Sequence, residues 1–188
     1  MKKIIGIAGS VRSKSINAGL LRAAAELCPK SVEIEICSLK GIPLYDGDVE
    51  ETEGIPASVA VLKDKIAAAD GLLLATPEYN NSMPGVLKNA LDWLSRPWGE
   101  GARVFGGTPV VIMGASPSSA GTALSQASLM PVLSALQMLP WMAHRAPHIG
   151  RAYTVFDESG NLIDDKARRQ LQDFMVGFAA FVSSMADS

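Results

Sequence analysis

Short apolar segments of strand length alternate along this chain with longer segments that have helical periodicity. The short segments comprise residues 4–8, 32–37, 71–75 and 110–115. Their composition predicts strands that are buried on both faces, as in a parallel sheet. Apolar residues at helical spacing predict helices over residues 17–28, 57–69, 84–95, 122–137 and 165–185. The alternation gives about five βα units and predicts an α/β fold, a doubly wound parallel sheet with helices on both faces.

The size and charge of the chain narrow the class of protein further. Its 188 residues predict a single domain over 1–188, and we interpret segments 39–56 and 96–108 as loops rather than linkers. The net charge of −2 argues against a nucleic-acid partner. Cys28 and Cys37 form neither a CxxC pair nor a zinc set. No apolar run approaches the ~18 residues needed to cross a bilayer, so we expect a cytoplasmic protein without membrane insertion.

The loop after the first predicted strand has the composition of a phosphate site. In an open α/β sheet, ligands bind beyond the carboxyl ends of the strands. Residues 9–17 (GSVRSKSIN) combine hydroxyl groups, the Arg12 guanidinium and the free N–H groups at the start of a helix. Gly6 and Gly9 give only G-x-x-G, so we expect a mononucleotide phosphate rather than a dinucleotide fingerprint. The alternative is that Ser15 and Asn17 only cap the helix.

Two further loops are predicted at the same edge of the sheet. Residues 76–85 (TPEYNNSMPG) hold a polar stretch between two prolines, and exposed backbone groups there suit a planar heterocycle. Residues 114–122 (GASPSSAGT) again place small residues between a strand and a helix. The alternatives are an ordinary solvated turn for the second loop and a flexible capping loop for the third.

Two motifs carry a resemblance to a known family. GSVRSKSIN at residues 9–17 and TPEYNNSMPGVLKNALDW at residues 76–93 resemble the NADPH-dependent FMN reductase family, and within it the bacterial quinone and chromate reductases. The resemblance implies a flavodoxin-like fold with a five-stranded parallel sheet and a bound FMN. It implies that the FMN phosphate is held by Ser10, Arg12, Ser15, Ile16 and Asn17. It implies that the flavin ring lies against Pro77, Glu78, Tyr79, Asn80 and Asn81, and that Ser116 closes the site.

The resemblance also implies an activity. Hydride would pass from NADPH or NADH to FMN, which would then reduce quinones, flavins, azo compounds or metal anions such as chromate in a ping-pong sequence. We assign no catalytic side chain, because the flavin supplies the chemistry. His144 and His148 are separated by Pro147 and lack a third ligand nearby, so we expect no metal site. The alternatives are a flavodoxin-type electron carrier that does not oxidise NAD(P)H, which the charge of −2 and Arg12 disfavour, and a flavin site used as a sensor or docking surface.

Apolar residues in the later helices suggest an assembly. The segments 87–94, 93–98 and 124–136 offer more apolar surface than one sheet face should cover, so we expect a homodimer or homotetramer, as the family implies. The alternative is that these residues are all core. We also expect Arg103, in the segment 96–103, to reach the acceptor pocket of a neighbouring subunit as a substrate-binding cation. The alternative is a surface arginine.

Overall fold

A parallel sheet forms the centre of the computed structural model, which describes residues 1–142 and 147–185. The strands are β1 (Lys2–Ala8), β2 (Val32–Cys37), β3 (Gly71–Ala75), β4 (Pro109–Ala115), β5 (Leu139–Pro140) and β6 (His148–Ile149). The first five are ordered β2-β1-β3-β4-β5, and β6 pairs in parallel with the end of β4. This is the doubly wound order of flavodoxin-like folds. The predicted fold class is therefore confirmed, with the short β6 added to the five strands expected.

The helices connect these strands. They are α1 (Ile16–Leu27), α2 (Gly47–Glu53), α3 (Ala57–Ala67), α4 (Gly85–Leu94), α5 (Glu100–Phe105), α6 (Ala123–Ala135) and α7 (Asp165–Met185). The five helices predicted from periodicity are all present, with ends that agree to within two residues. Helices α2 and α5 occupy segments predicted as loops. Each spans at most two turns, and α2 buries no residue, so neither leaves an apolar periodicity in the sequence.

Alternating strand residues build a core on each face of the sheet. Ile4, Leu73 and Val111 pack with α1 and α7, whereas their neighbours in the strands pack with α3 to α6. This follows from the two-residue period of a strand. Helices therefore cover both faces, as predicted. Within the described ranges, no helix is both long and apolar enough to cross a membrane.

The core includes most of the apolar residues that suggested an assembly interface. Leu87, Leu91, Leu94, Leu129 and Leu133 are at most 1% exposed within the single chain. They cannot form an external apolar patch, so the surface argument for an assembly is wrong for these residues. Trp98 and Leu124 do remain exposed, and the homodimer or homotetramer stays a prediction.

Candidate functional site

The carboxyl ends of β1, β3 and β4 bring the three predicted loops to one edge of the sheet. Ala8 pairs with Ala75, and Ala75 pairs with Met113, so the strands end in register. In the order β2-β1-β3, β2 lies on one side of β1 and β3 lies on the other, so the connections switch direction between β1 and β3. FMN binds at this switch point in flavodoxin-like folds. The loop from β1 to α1 and the loop from β3 to α4 flank it.

In the first loop, Ser15 and Asn17 have roles that contacts within the chain define. Ser15 caps α1, since its Oγ accepts a hydrogen bond from the N–H of Ala18 at 3.2 Å. Asn17 is buried, and its amide bridges across the site to Ala115 at the end of β4. Its Nδ2 donates to the Ala115 carbonyl and its Oδ1 accepts from the Ala115 N–H, each at 2.9 Å. Ser15 therefore caps α1 and Asn17 ties α1 to β4, while a contact of either residue with the FMN phosphate stays a prediction.

The remaining groups of the first loop are available to a ligand. Within residues 1–142 and 147–185, nothing bonds to the exposed Arg12 guanidinium. Ser10 Oγ accepts a long hydrogen bond of 3.4 Å from the Arg12 N–H. The backbone N–H groups of Ile16 and Asn17, in the first turn of α1, have no acceptor in the helix. A cation and two free N–H groups thus share the loop.

The second loop forms a tight two-residue hairpin turn. Tyr79 and Ser82 exchange two backbone hydrogen bonds of 3.1 Å. Between them Asn80 and Asn81 have φ of 50° and 61°, the pair of positive values of a type I′ turn, which asparagine tolerates better than most residues other than glycine. The turn leaves Tyr79, Asn80 and Asn81 exposed, while Pro77 is buried beneath it. This turn is the part of the second loop that a flat ligand could contact.

Glu78 connects the second loop to α6. One carboxylate oxygen accepts hydrogen bonds from the N–H groups of Leu124 at 2.8 Å and Ser125 at 3.0 Å, in the first turn of that helix. A negative charge is stabilised there by the helix dipole. Beside it, the buried Thr76 and Ser125 hydroxyls lie 2.8 Å apart. The Glu78 carboxylate is thus engaged by the protein, so a contact with FMN, which stays a prediction, would use its backbone.

The third loop is held close to the second. Ser116 is buried, its N–H donates to the Ile149 carbonyl at 2.9 Å, and its Oγ accepts from Ser118 N–H at 3.2 Å. At Gly114 a Cβ would lie 2.2 Å from the Thr76 carbonyl oxygen. Only glycine allows this approach. Sequence reasoning missed the contact, although a glycine inside a strand is the pattern that signals one.

Arg103 lies away from these loops. It belongs to α5, which leads to the amino end of β4, the opposite edge of the sheet. Its Nε donates to Glu100 at 2.8 Å and a terminal nitrogen donates to Asp64 at 3.2 Å. These hydrogen bonds raise the pKa of Arg103, with Glu100 contributing most. Any contact with a neighbouring subunit's site stays a prediction.

Metal-binding residues do not cluster in the part of the chain that the structure describes. There, no group of three or more His, Cys, Asp and Glu side chains could hold an ion. His148 belongs to β6, whereas His144 lies outside the described residues.

Comparison with known proteins places the chain in a family. Residues 2–147 match the profile described as NADPH-dependent FMN reductase. The chain belongs to this family. The match confirms the resemblance, and with it the expectation of FMN and an NAD(P)H donor as cofactors.

Relatives of this FMN reductase family member agree over nearly the whole chain. A 2-hydroxy-1,4-benzoquinone reductase of a Burkholderia species is 42% identical over 180 residues, 96% of each chain. An NAD(P)H-dependent FMN reductase of Pseudomonas aeruginosa is 45% identical over 170 residues, 90% of this chain and 89% of the relative. The solved structure of FerB, a flavoenzyme NAD(P)H:(acceptor) oxidoreductase of Paracoccus denitrificans, is 31% identical with a TM-score of 0.86, covering 98% of this chain and 99% of that one.

Proposed function

We propose that this protein is an FMN-dependent NAD(P)H oxidoreductase that reduces quinones, and by the same chemistry flavins, azo compounds and metal anions such as chromate. When bound, FMN would accept a hydride from NADH or NADPH and pass its electrons to the acceptor. The donor and the acceptor would use one site in turn, which is a ping-pong sequence. The observation that carries the proposal is the Arg12 guanidinium, which has no partner among the described residues and shares the first loop with the free N–H groups of α1. This loop lies at the β1/β3 switch point, in a chain of this family.

The first loop fits a phosphate monoester. A dianionic phosphate would take charge-assisted hydrogen bonds from Arg12 and from the N–H groups of Ile16 and Asn17, with the helix dipole adding a favourable field. The Ser15 Oγ accepts from the backbone, so its O–H remains free to donate. Ser10 lies in the same loop.

The other two loops fit the flat part of the cofactor. The type I′ turn exposes the backbone of Asn80 and Asn81 to a ring edge, and Tyr79 offers an aromatic side chain. The bonds from Asn17 to Ala115 and from Glu78 to α6 fix the three loops relative to one another before a ligand arrives. Such preorganisation lowers the cost of binding. We propose no side chain as an acid or base.

Replacement of Arg12 tests the phosphate site. A charge-assisted contact with Arg12 would contribute roughly 1.5–3 kcal/mol. Arg12→Ala should therefore raise the Kd for FMN by about 10- to 150-fold. Riboflavin lacks the phosphate, so its Kd stays unchanged. Arg169→Ala, at another exposed arginine, is the matched control. A change in FMN affinity of less than about threefold, or an equal loss for riboflavin, contradicts this site.

Initial-rate kinetics test the reaction sequence. Varying NADPH at several fixed concentrations of benzoquinone should give parallel double-reciprocal lines, because the first product leaves before the acceptor binds. Intersecting lines would indicate that both substrates bind together. An electron carrier, the competing function, would show no turnover with NADPH and benzoquinone alone.

A further inference from the structure

A cavity lies between the first loop and the end of β2. It has a volume of about 510 Å³, a size that accommodates a small ligand or part of a larger one. The loop from β1 and the end of β2 form its walls. It is lined by Ala8, Ser10, Val11, Arg12, Ser13, Ala18, Ile36, Cys37, Ser38 and Lys40.

The lining of this cavity is cationic. It contains Arg12 and Lys40 and no carboxylate. Lys40 is exposed, and within residues 1–142 and 147–185 nothing bonds to its ammonium group. The nearby carboxylate of β2, Glu35, is neutralised by ion pairs with Lys3 at 2.7 Å and Lys65 at 2.6 Å. Since the proposed function assigns Arg12 to the FMN phosphate, Lys40 is the cation that this lining offers to a second anion.

The neighbouring hydroxyl groups suit the same ligand. The Ser38 Oγ accepts a hydrogen bond from the Lys40 N–H at 3.1 Å, which leaves its own O–H free to donate. Ser13 is exposed on the opposite wall, and its hydroxyl has no partner among the described residues. The Lys40 ammonium group with these two hydroxyl donors can recognise a second phosphate.

The position of the cavity relates it to the hydride donor. In the order β2-β1-β3, the end of β2 lies two strand spacings from the second loop, about 10 Å. A dinucleotide whose nicotinamide lies over a flavin at the β1/β3 switch point can span this distance with its adenosine half. We propose that the cavity binds the 2′-phosphate of NADPH, so that the enzyme selects NADPH over NADH. This inference rests on the proposed function.

Lys40 provides the test, because it lies in this cavity and outside the FMN residues. With FMN-saturated enzyme, Lys40→Ala should raise the KM for NADPH about tenfold, the effect of one charge-assisted contact. The KM for NADH should stay within about twofold. Lys30→Ala is the matched control, since Lys30 is also exposed but precedes β2 at the opposite edge of the sheet. A second control, Arg151→Ala, removes an exposed cation beside the third loop.

Several results would overturn the proposal. The first is an equal change in the KM for NADPH and the KM for NADH in Lys40→Ala. The second is a larger increase in the KM for NADPH in Arg151→Ala than in Lys40→Ala. The third is an FMN affinity that is weaker by more than about threefold in Lys40→Ala, which would assign the cavity to the FMN phosphate.

Direct binding separates this inference from the proposed function. Calorimetric titration of the FMN-loaded protein with 2′,5′-ADP should give a Kd at least about tenfold below that of 5′-AMP, a difference that Lys40→Ala abolishes. Equal affinities for the two nucleotides overturn the inference. If the protein oxidises neither donor, the proposed function fails, and this titration still decides what the cavity binds.

Discussion

Replacing Asn17 with alanine removes the side chain that joins the first loop to β4. In the native protein its amide satisfies both the N–H and the C=O of Ala115, and Asn17 is only 1% exposed. In Asn17→Ala these two backbone groups are left buried without partners. Each unsatisfied buried group costs about 1–3 kcal/mol. We therefore expect the free energy of unfolding to fall by about 2–6 kcal/mol, a large part of the roughly 5–15 kcal/mol that is typical of a domain.

Unfolding in guanidinium chloride, followed by circular dichroism, measures this loss. The midpoint denaturant concentration should fall, while the slope of the free energy of unfolding against denaturant concentration should stay unchanged. Ser13→Ala, in the same loop but exposed, is the control and should stay within about 0.5 kcal/mol. Asn17→Asp keeps the acceptor for the Ala115 N–H but loses the donor to its carbonyl, so it should also be destabilising. If Asn17→Ala changes the stability by less than about 0.5 kcal/mol while FMN affinity collapses, Asn17 serves the cofactor directly and the structural assignment is wrong.

Three further predictions concern other parts of the chain. Glu78→Ala should lower the free energy of unfolding by about 1 kcal/mol, because two N–H groups of α6 lose their acceptor; urea unfolding measures it, and no loss would contradict the contact. Hydrogen bonds from Lys3 and then Lys65 lower the pKa of Glu35 from 4.5 to about 2, so the stability that ionised Glu35 contributes is complete above pH 4.5 and disappears as the pH falls to about 2. The Tm difference between the wild type and Glu35→Gln should follow that course, and a difference independent of pH would refute it. If Arg103 reaches the site of a neighbouring subunit, Arg103→Ala should raise the KM for an anionic oxidant more than the KM for a neutral quinone. Equal changes in the two KM values, or light scattering that shows a monomer at micromolar concentration, would identify Arg103 as a surface charge.

The sequence was sufficient for the parts of the fold that local patterns determine. β3 was predicted with the same bounds as observed, because a fully apolar run between turn residues has few other solutions. α7 was also predicted over its observed range, since its apolar stripe continues through 21 residues. The short α2 was missed, because its stability comes from the Asp46 cap and from Tyr45 contacts with α4 rather than from periodicity.

The site was predicted less completely, because its contacts join distant parts of the chain. The motifs located the loops, but they gave no indication that Asn17 bonds to Ala115, 98 residues away, or that Glu78 caps α6. Composition alone treats both as polar loop residues that are free for a ligand. Lys40 was missed for the same reason: it comes near the first loop only when β2 pairs with β1.

The anaerobic half-reaction tests the central claim most directly. The FMN-loaded protein is mixed without oxygen with one equivalent of NADPH, and the flavin absorbance near 450 nm is followed in a stopped-flow spectrometer. We predict that the yellow colour bleaches in one turnover and returns when benzoquinone is added, with one equivalent of quinone consumed. A flavin that keeps its colour with both NADPH and NADH, yet is bleached by dithionite, would contradict the account and identify an electron carrier.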